Sequence, residues 1–153
     1  MNILTDTNFH LCGLEPASLA HPFVLSCADH LRIRGHTLCI VPQVCYEYWS
    51  VCTSNAPPQA NGLGLSFGRT LVLLGRMLRS FPMLDDQPAL FNEWYRLVSQ
   101  HSIVGRPSYD TRLVAAMNIH RLSHILTFNG SDFAAYSGIT ILDPTIVTSS
   151  SQP

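Results

Sequence analysis

Asn2-Ile3-Leu4-Thr5-Asp6 is the stretch on which the reading of this chain turns. It is a short apolar run that starts almost at the first residue and stops at a carboxylate, the pattern of a buried strand with an acid at its end. Working outward, Thr37-Leu38-Cys39-Ile40-Val41 is a second buried-strand candidate, closed by Pro42. A helix then runs from Pro42 through Glu47 to about Thr53, with proline in the first turn, where its missing N–H costs nothing. Ile125-Leu126-Thr127 and Ile139-Thr140-Ile141-Leu142 are two further short strands.

Helical spacing fills the intervals. Pro16 to Arg34 carries Leu19, Phe23, Ala28 and Leu31 at roughly helical period and is stopped by Gly35. Ser66 caps a helix through Leu78 with Leu71, Leu74 and Leu78 on one stripe, read as core or dimer surface. Pro88 to Gln100 carries Leu90, Trp94 and Leu97, and Tyr109 to His120 turns Leu113, Ala116 and Met117 inward. Asn55 to Gly64 is a Pro/Gly/Asn loop inside the domain. Strands alternating with helices predict an α/β domain with a mostly parallel central sheet. One domain over residues 1–145 and a disordered tail over 146–153 are expected.

Of the 153 residues, 12% are charged, against about 25% in an average soluble domain. All nine basic side chains are arginine. The absence of lysine excludes a P-loop nucleotide site, Schiff-base or pyridoxal chemistry, and a protein kinase. The five cysteines, at 12, 27, 39, 45 and 52, form no C-x-x-C pair, so free buried thiols in a reducing cytoplasm are expected. No apolar run is long enough to span a membrane, and the N-terminus lacks the basic region and cleavage site of a signal peptide. A net charge of −1 offers no overall basic footprint for nucleic acid.

With charge this scarce, the placement of the ten carboxylates is informative. Open parallel sheets bind ligands beyond the C-terminal ends of their strands. Asp6 ends the first strand, Glu47 lies on the helix after the second, Asp110 opens the Tyr109 helix, and Asp132 follows Thr127 with Asn129 between. Clustered acids repel, and a bound Mg²⁺ or Mn²⁺ resolves the conflict, because hard cations take oxygen ligands. Glu47 sits among Val44, Cys45, Tyr46, Tyr48 and Trp49, where an acid needs a partner. Asp6 and Asp110 also have simpler readings, as a strand-end cap and a helix N-terminal acid.

Asn8, Thr127 and Asn129 can hold a water or orient a carboxylate, although turn chemistry alone explains the two asparagines. Arg112 either faces substrate phosphate, pairs with an acid of the site, or is a surface arginine. Asp85-Asp86 reads as a solvated turn, and Glu15, Asp29, Glu93 and Asp143 take no role. His120 and His124 straddle a helix end and do not share a ligand face.

Four blocks taken together carry a resemblance: Ile3-Leu-Thr-Asp-Thr-Asn8, Pro42-Gln-Val-Cys-Tyr-Glu47, Tyr109-Asp-Thr-Arg-Leu-Val-Ala-Ala-Met117 and Ile125-Leu-Thr-Phe-Asn-Gly-Ser-Asp-Phe133. In order and spacing they resemble the PIN-domain nucleases, most of all the VapC-type toxins of bacterial toxin–antitoxin pairs, over residue 3 to Pro144. The resemblance implies a three-layer α/β/α fold, a metal-dependent endoribonuclease leaving 5′-phosphate and 3′-hydroxyl ends, a homodimer, and inhibition by a cognate antitoxin. Asp6, Glu47 and Asp110 match the family's acidic metal ligands, and Asp132 is the acid of the last block. Two departures are plain: Asn129 stands where relatives often carry aspartate, and Tyr109 where many carry histidine. The alternative is a PIN-like RNA- or protein-binding module with weakened catalysis. A haloacid-dehalogenase phosphatase is disfavoured, because Asn8 replaces its second aspartate and its lysine is missing; a phospho-receiver also expects a lysine.

Overall fold

The structure is a computed structural model, and it describes residues 1–14, 18–56 and 62–149. In chain order the elements are β1 (Asn2–Thr5), α1 (Thr7–Leu14), α2 (His21–Ile33), β2 (Thr37–Cys39), α3 (Pro42–Thr53), α4 (Phe67–Ser80), α5 (Leu90–His101), α6 (Pro107–His120), β3 (His124–Leu126), β4 (Thr140–Leu142) and α7 (Pro144–Ser149). A single 3₁₀ turn, Gly130–Phe133, joins β3 to β4. The sheet has the order β2-β1-β3-β4 and every pairing is parallel. Leu4 is in register with both Cys39 and Ile125, so β1 is a central strand buried on both faces.

Successive strand residues point to opposite faces, and this divides the core in two. Leu4 and Ile125 pack with Val44, Tyr48, Leu113 and Met117 under α3 and α6. Ile3 and Leu126 pack with Phe9, Val24, Cys27 and Leu31 under α1 and α2. The result is the expected three-layer α/β/α domain. Gly35, at φ +77°, lets the chain leave α2 through the left-handed region and turn directly into β2.

The structure also departs from the sequence reading. A separate helix, α1, precedes α2, where a single segment from Pro16 is expected; residues 15–17 lie outside the described ones. Leu19 is 93% exposed and Phe23 is on the surface, because the inward stripe of α2 is Val24, Cys27, Ala28 and Leu31. On α4, Leu71 and Leu78 are exposed while Thr70 and Met77 are buried, a shift of one residue around the helix. The second strand stops at Cys39, and Ile40 instead bridges to Met83. Residues 146–149, expected in a disordered tail, form the last four residues of α7, which packs on α2; residues 150–153 lie outside the described ones. The Asn55–Gly64 loop is described only at its two ends. Ser66 caps α4 as expected, its hydroxyl accepting from the Arg69 N–H at 3.4 Å. Cys27, Cys39, Cys45 and Cys52 are buried free thiols, and Cys12 is half-buried. No helix among the described residues is long and apolar enough to cross a membrane.

Candidate active site

Because all four strands run the same way, their C-terminal ends form one rim, and the chain leaves β1 there directly into α1. Asp6 occupies the joint. Its backbone carbonyl receives the Phe9 N–H at 3.2 Å, and its carboxylate lies at the positive end of α1. Oδ1 accepts the Thr7 N–H at 2.6 Å. Oδ2 accepts the Asn8 side-chain amide at 2.8 Å and the Thr127 hydroxyl at 2.7 Å. Three donors therefore fix a carboxylate that is only 8% exposed, and they leave one Oδ1 lone pair unused.

Asn8 and Thr127 act as a unit across the β1–β3 joint. The Asn8 amide also donates to the Thr127 hydroxyl at 3.0 Å, and its carbonyl accepts the Phe128 N–H at 3.1 Å. Asn129 contributes through its backbone, its N–H donating to the Thr127 hydroxyl at 3.0 Å. Asn8 and Thr127 thus orient a carboxylate, whereas the Asn129 side chain is exposed.

Glu47 projects from the second turn of α3. Its Oε2 accepts the Thr7 hydroxyl at 2.6 Å and its Oε1 accepts the Gln43 amide at 2.7 Å. Gln43 is 4% exposed and makes two further hydrogen bonds: its amide also donates to the Tyr109 carbonyl at 2.9 Å, and its carbonyl accepts Arg112 Nη1 at 3.0 Å. Arg112 reaches Glu47 only through Gln43, and its Nη2 is held by Asp86 at 2.6 Å. The Asp85-Asp86 turn is accordingly not a purely solvated one. Thr7 and Gln43 are the site residues that sequence reasoning missed. The signal for Gln43 was its position four residues before Glu47 on one helix face; Thr7 had only its place beside Asp6.

Asp110 lies in the first turn of α6, whose start is pinned by the Trp94 indole N–H donating to the Ser108 carbonyl at 2.9 Å. Asp132 is exposed on the 3₁₀ turn, its Oδ1 accepting from the Ser131 hydroxyl at 3.4 Å. That turn lies tight against β4: a Cβ on Gly130 would come within 2.8 Å of Ile141 Cγ2.

The four acids sense one another. Burial raises the Asp6 carboxyl above the usual range, the Thr127 and Thr7 hydrogen bonds oppose this, and the charges of Glu47 and Asp132 add to the rise. Asp110 is pushed up to about 6, by burial first and then by the charges of Asp132, Asp6 and Glu47. The structure therefore brings Asp6, Glu47, Asp110 and Asp132 within electrostatic reach of each other. It does not pack them into a ready cage: among the described residues, no three His, Cys, Asp or Glu side chains are grouped closely enough to hold an ion as they stand.

No protein-family model and no curated protein matches the sequence. Solved structures do. VapBC2 from Rickettsia felis, bound to a DNA fragment from its promoter, matches with a TM-score of 0.67 at 15% identity, covering 94% of this chain and 98% of that one. FitAcB from Neisseria gonorrhoeae matches at 0.64 and 20% identity, over 95% and 99% of the two chains. VapC20 of Mycobacterium tuberculosis, a toxin that cleaves the sarcin-ricin loop, matches at 0.63 and 15% identity, over 87% and 94%. Likeness at this level of identity is likeness of fold, and in fold this chain is similar to these VapBC, FitAcB and VapC20 proteins.

Proposed function

We propose that this chain is a divalent-metal-dependent endoribonuclease of the VapC type. The observation that carries the reading is the carboxylate cluster itself: a buried Asp6, locked by three hydrogen-bond donors, faces Glu47, Asp110 and Asp132. Folding such a cluster costs repulsion, and a fold keeps that cost where a cation offsets it.

The donor set fits a hard cation. Every group offered is a carboxylate oxygen, and Asp6 and Glu47 each retain unused lone pairs after their protein hydrogen bonds are counted. Mg²⁺ keeps several waters and is held by one or two carboxylates, so a closed three-acid cage is not required. Asp6 and Glu47 are the direct ligands in this reading, and Asp110 and Asp132 hold its water shell or complete it. When bound, the ion lowers the pKa of a water and neutralises charge on a phosphodiester. Thr7, Asn8, Thr127 and Gln43 keep the ligand oxygens oriented.

A homodimer and a cognate antitoxin are the partners proposed. The second is supported by structural neighbours solved as toxin–antitoxin complexes, among them one from Klebsiella pneumoniae. A cytoplasmic location goes with both. Purified protein is expected to cut RNA with Mg²⁺ or Mn²⁺ and to stop with EDTA. RNA left intact by protein that demonstrably binds Mn²⁺ overturns the nuclease assignment and leaves the binding-module alternative.

A further inference from the structure

We propose that the cavity beside the acidic rim is a pocket for one unpaired nucleobase of the substrate strand; this rests on the ribonuclease reading above. The cavity has a volume of about 430 Å³ and lies between the turn before α5, α5 itself and α6. Pro88, Leu90, Phe91 and Trp94 form its apolar walls, and Asp86, Gln87 and Arg112 its polar edge.

Its position is the first argument. Arg112 lines the cavity, donates to Gln43 at 3.0 Å, and Gln43 donates to Glu47 at 2.7 Å. Two hydrogen bonds thus separate the cavity wall from a carboxylate of the site, so the cavity adjoins the rim on which a strand would lie.

The wall chemistry is the second. Single-stranded RNA is recognised by splaying bases out onto aromatic faces. Phe91 is 66% exposed on α5, and its ring centroid is 5.7 Å from that of Trp94, tilted by 40°. The Trp94 indole N–H is already committed to the Ser108 carbonyl, so the ring is fixed and offers a face rather than a donor.

Charge is the third. The edge of the cavity carries one anion and one cation, paired at 2.6 Å, and so has no net charge to attract a phosphate. The pair still presents an acceptor and donors to the rim of a flat, uncharged ligand. A base fits these conditions, with its phosphate left outside at the acidic site.

The chain has two tryptophans, so Trp49→Phe leaves Trp94 as the sole reporter. That variant, free of divalent metal, is titrated with the four nucleoside 5′-monophosphates and with ribose 5-phosphate, following Trp94 emission. Saturable quenching by nucleotides but not by ribose 5-phosphate is expected. Adding Phe91→Ala is expected to weaken nucleotide binding about five- to a hundredfold, the loss of one stacking contact, and Phe91→Tyr to restore it. Quenching that ribose 5-phosphate reproduces, or that Phe91→Ala leaves intact, overturns the proposal. So does an emission moved only by the amidated peptide Arg-Phe-Leu, which gives the pocket to a protein segment, or only by dilution of the protein, which gives it to a second copy. RNA cleavage by the wild type is read separately. A cutting enzyme with an unresponsive Trp94 loses the pocket alone, and a responsive Trp94 in a protein that cuts nothing loses the nuclease reading alone.

Discussion

Asp6, at the joint before α1, and His10, in the first turn of α1, stand four residues apart, each 8% exposed, and burial drives both away from their charged forms. Their surroundings then part. Asp6 is given three hydrogen-bond donors and faces three other acids, an arrangement that preserves a carboxylate and calls for a cation. His10 is enclosed by the Phe9 and Phe81 rings, both edge-on, with Arg32 over Phe81 at 4.9 Å. Burial, with the Arg32 charge second, lowers its pKa to about 3. The Thr5 hydroxyl spends its only proton on the Cys39 carbonyl at 3.0 Å, so at 2.8 Å it accepts from His10 Nε2–H. His10 is a neutral core group with its hydrogen bond satisfied. Equal burial therefore does not make equal sites; the donors and charges facing the group decide.

The largest effect expected is at the acidic end. Asp6→Asn lowers RNA cleavage at least about a hundredfold and abolishes the rise in melting temperature that millimolar Mn²⁺ gives the wild type. Wild-type cleavage by the variant breaks the contrast outright. Next is Gln43→Leu, which leaves Glu47 Oε1, the Tyr109 carbonyl and Arg112 without their buried partner. It is expected to cost about 1–3 kcal/mol in urea unfolding and to weaken the Mn²⁺ response. An unchanged response would show that Glu47 keeps its place without Gln43.

The His10 box responds to acid instead. An unfolded histidine takes up its proton near pH 6.5 and folded His10 only near 3. Between those values the unfolded state binds more protons, so this contribution is complete above pH 6.5 and is lost as the pH falls, by at most about 1.4 kcal/mol per pH unit. His10→Gln keeps a donor for Thr5 and is expected to flatten the dependence of the urea midpoint between pH 7 and 5. An equal slope in both proteins would mean that His10 is not the group being titrated. The smallest effect is at the exposed edge of the rim: Asp86→Asn is expected to shift stability by less than about 1 kcal/mol, because its partner Arg112 is open to solvent on one side. A larger loss in thermal melting would place Asp86 among the groups that hold the site together.

The legibility of each feature follows its physics. The parallel strands were readable because a strand buried on both faces is a bare apolar run. The acids Asp6, Glu47, Asp110 and Asp132 stood out because so few charges surround them. Helix α1 was not readable: Thr7–Leu14 is apolar on several sides and includes Gly13, so no one-sided stripe announces it. The buried face of α4 lies one residue out of phase with its apolar stripe, since Leu71 and Leu78 look as apolar as the Met77 that is buried. Gln43 is not legible in the sequence, because a glutamine on a helix carries no chemistry of its own until its neighbours are known.

By itself the sequence determined an α/β domain with four short strands, a chemistry without lysine, and carboxylates placed at strand ends and helix starts, because these are set by local pattern and composition. Only the tertiary structure decided which oxygens of those carboxylates are already taken, that Gln43 ties Glu47 to Arg112, and that His10 is silent. Those outcomes depend on side chains from elements up to 121 residues apart, such as Thr127 on Asp6, and burial and hydrogen-bond partners exist only once those elements meet.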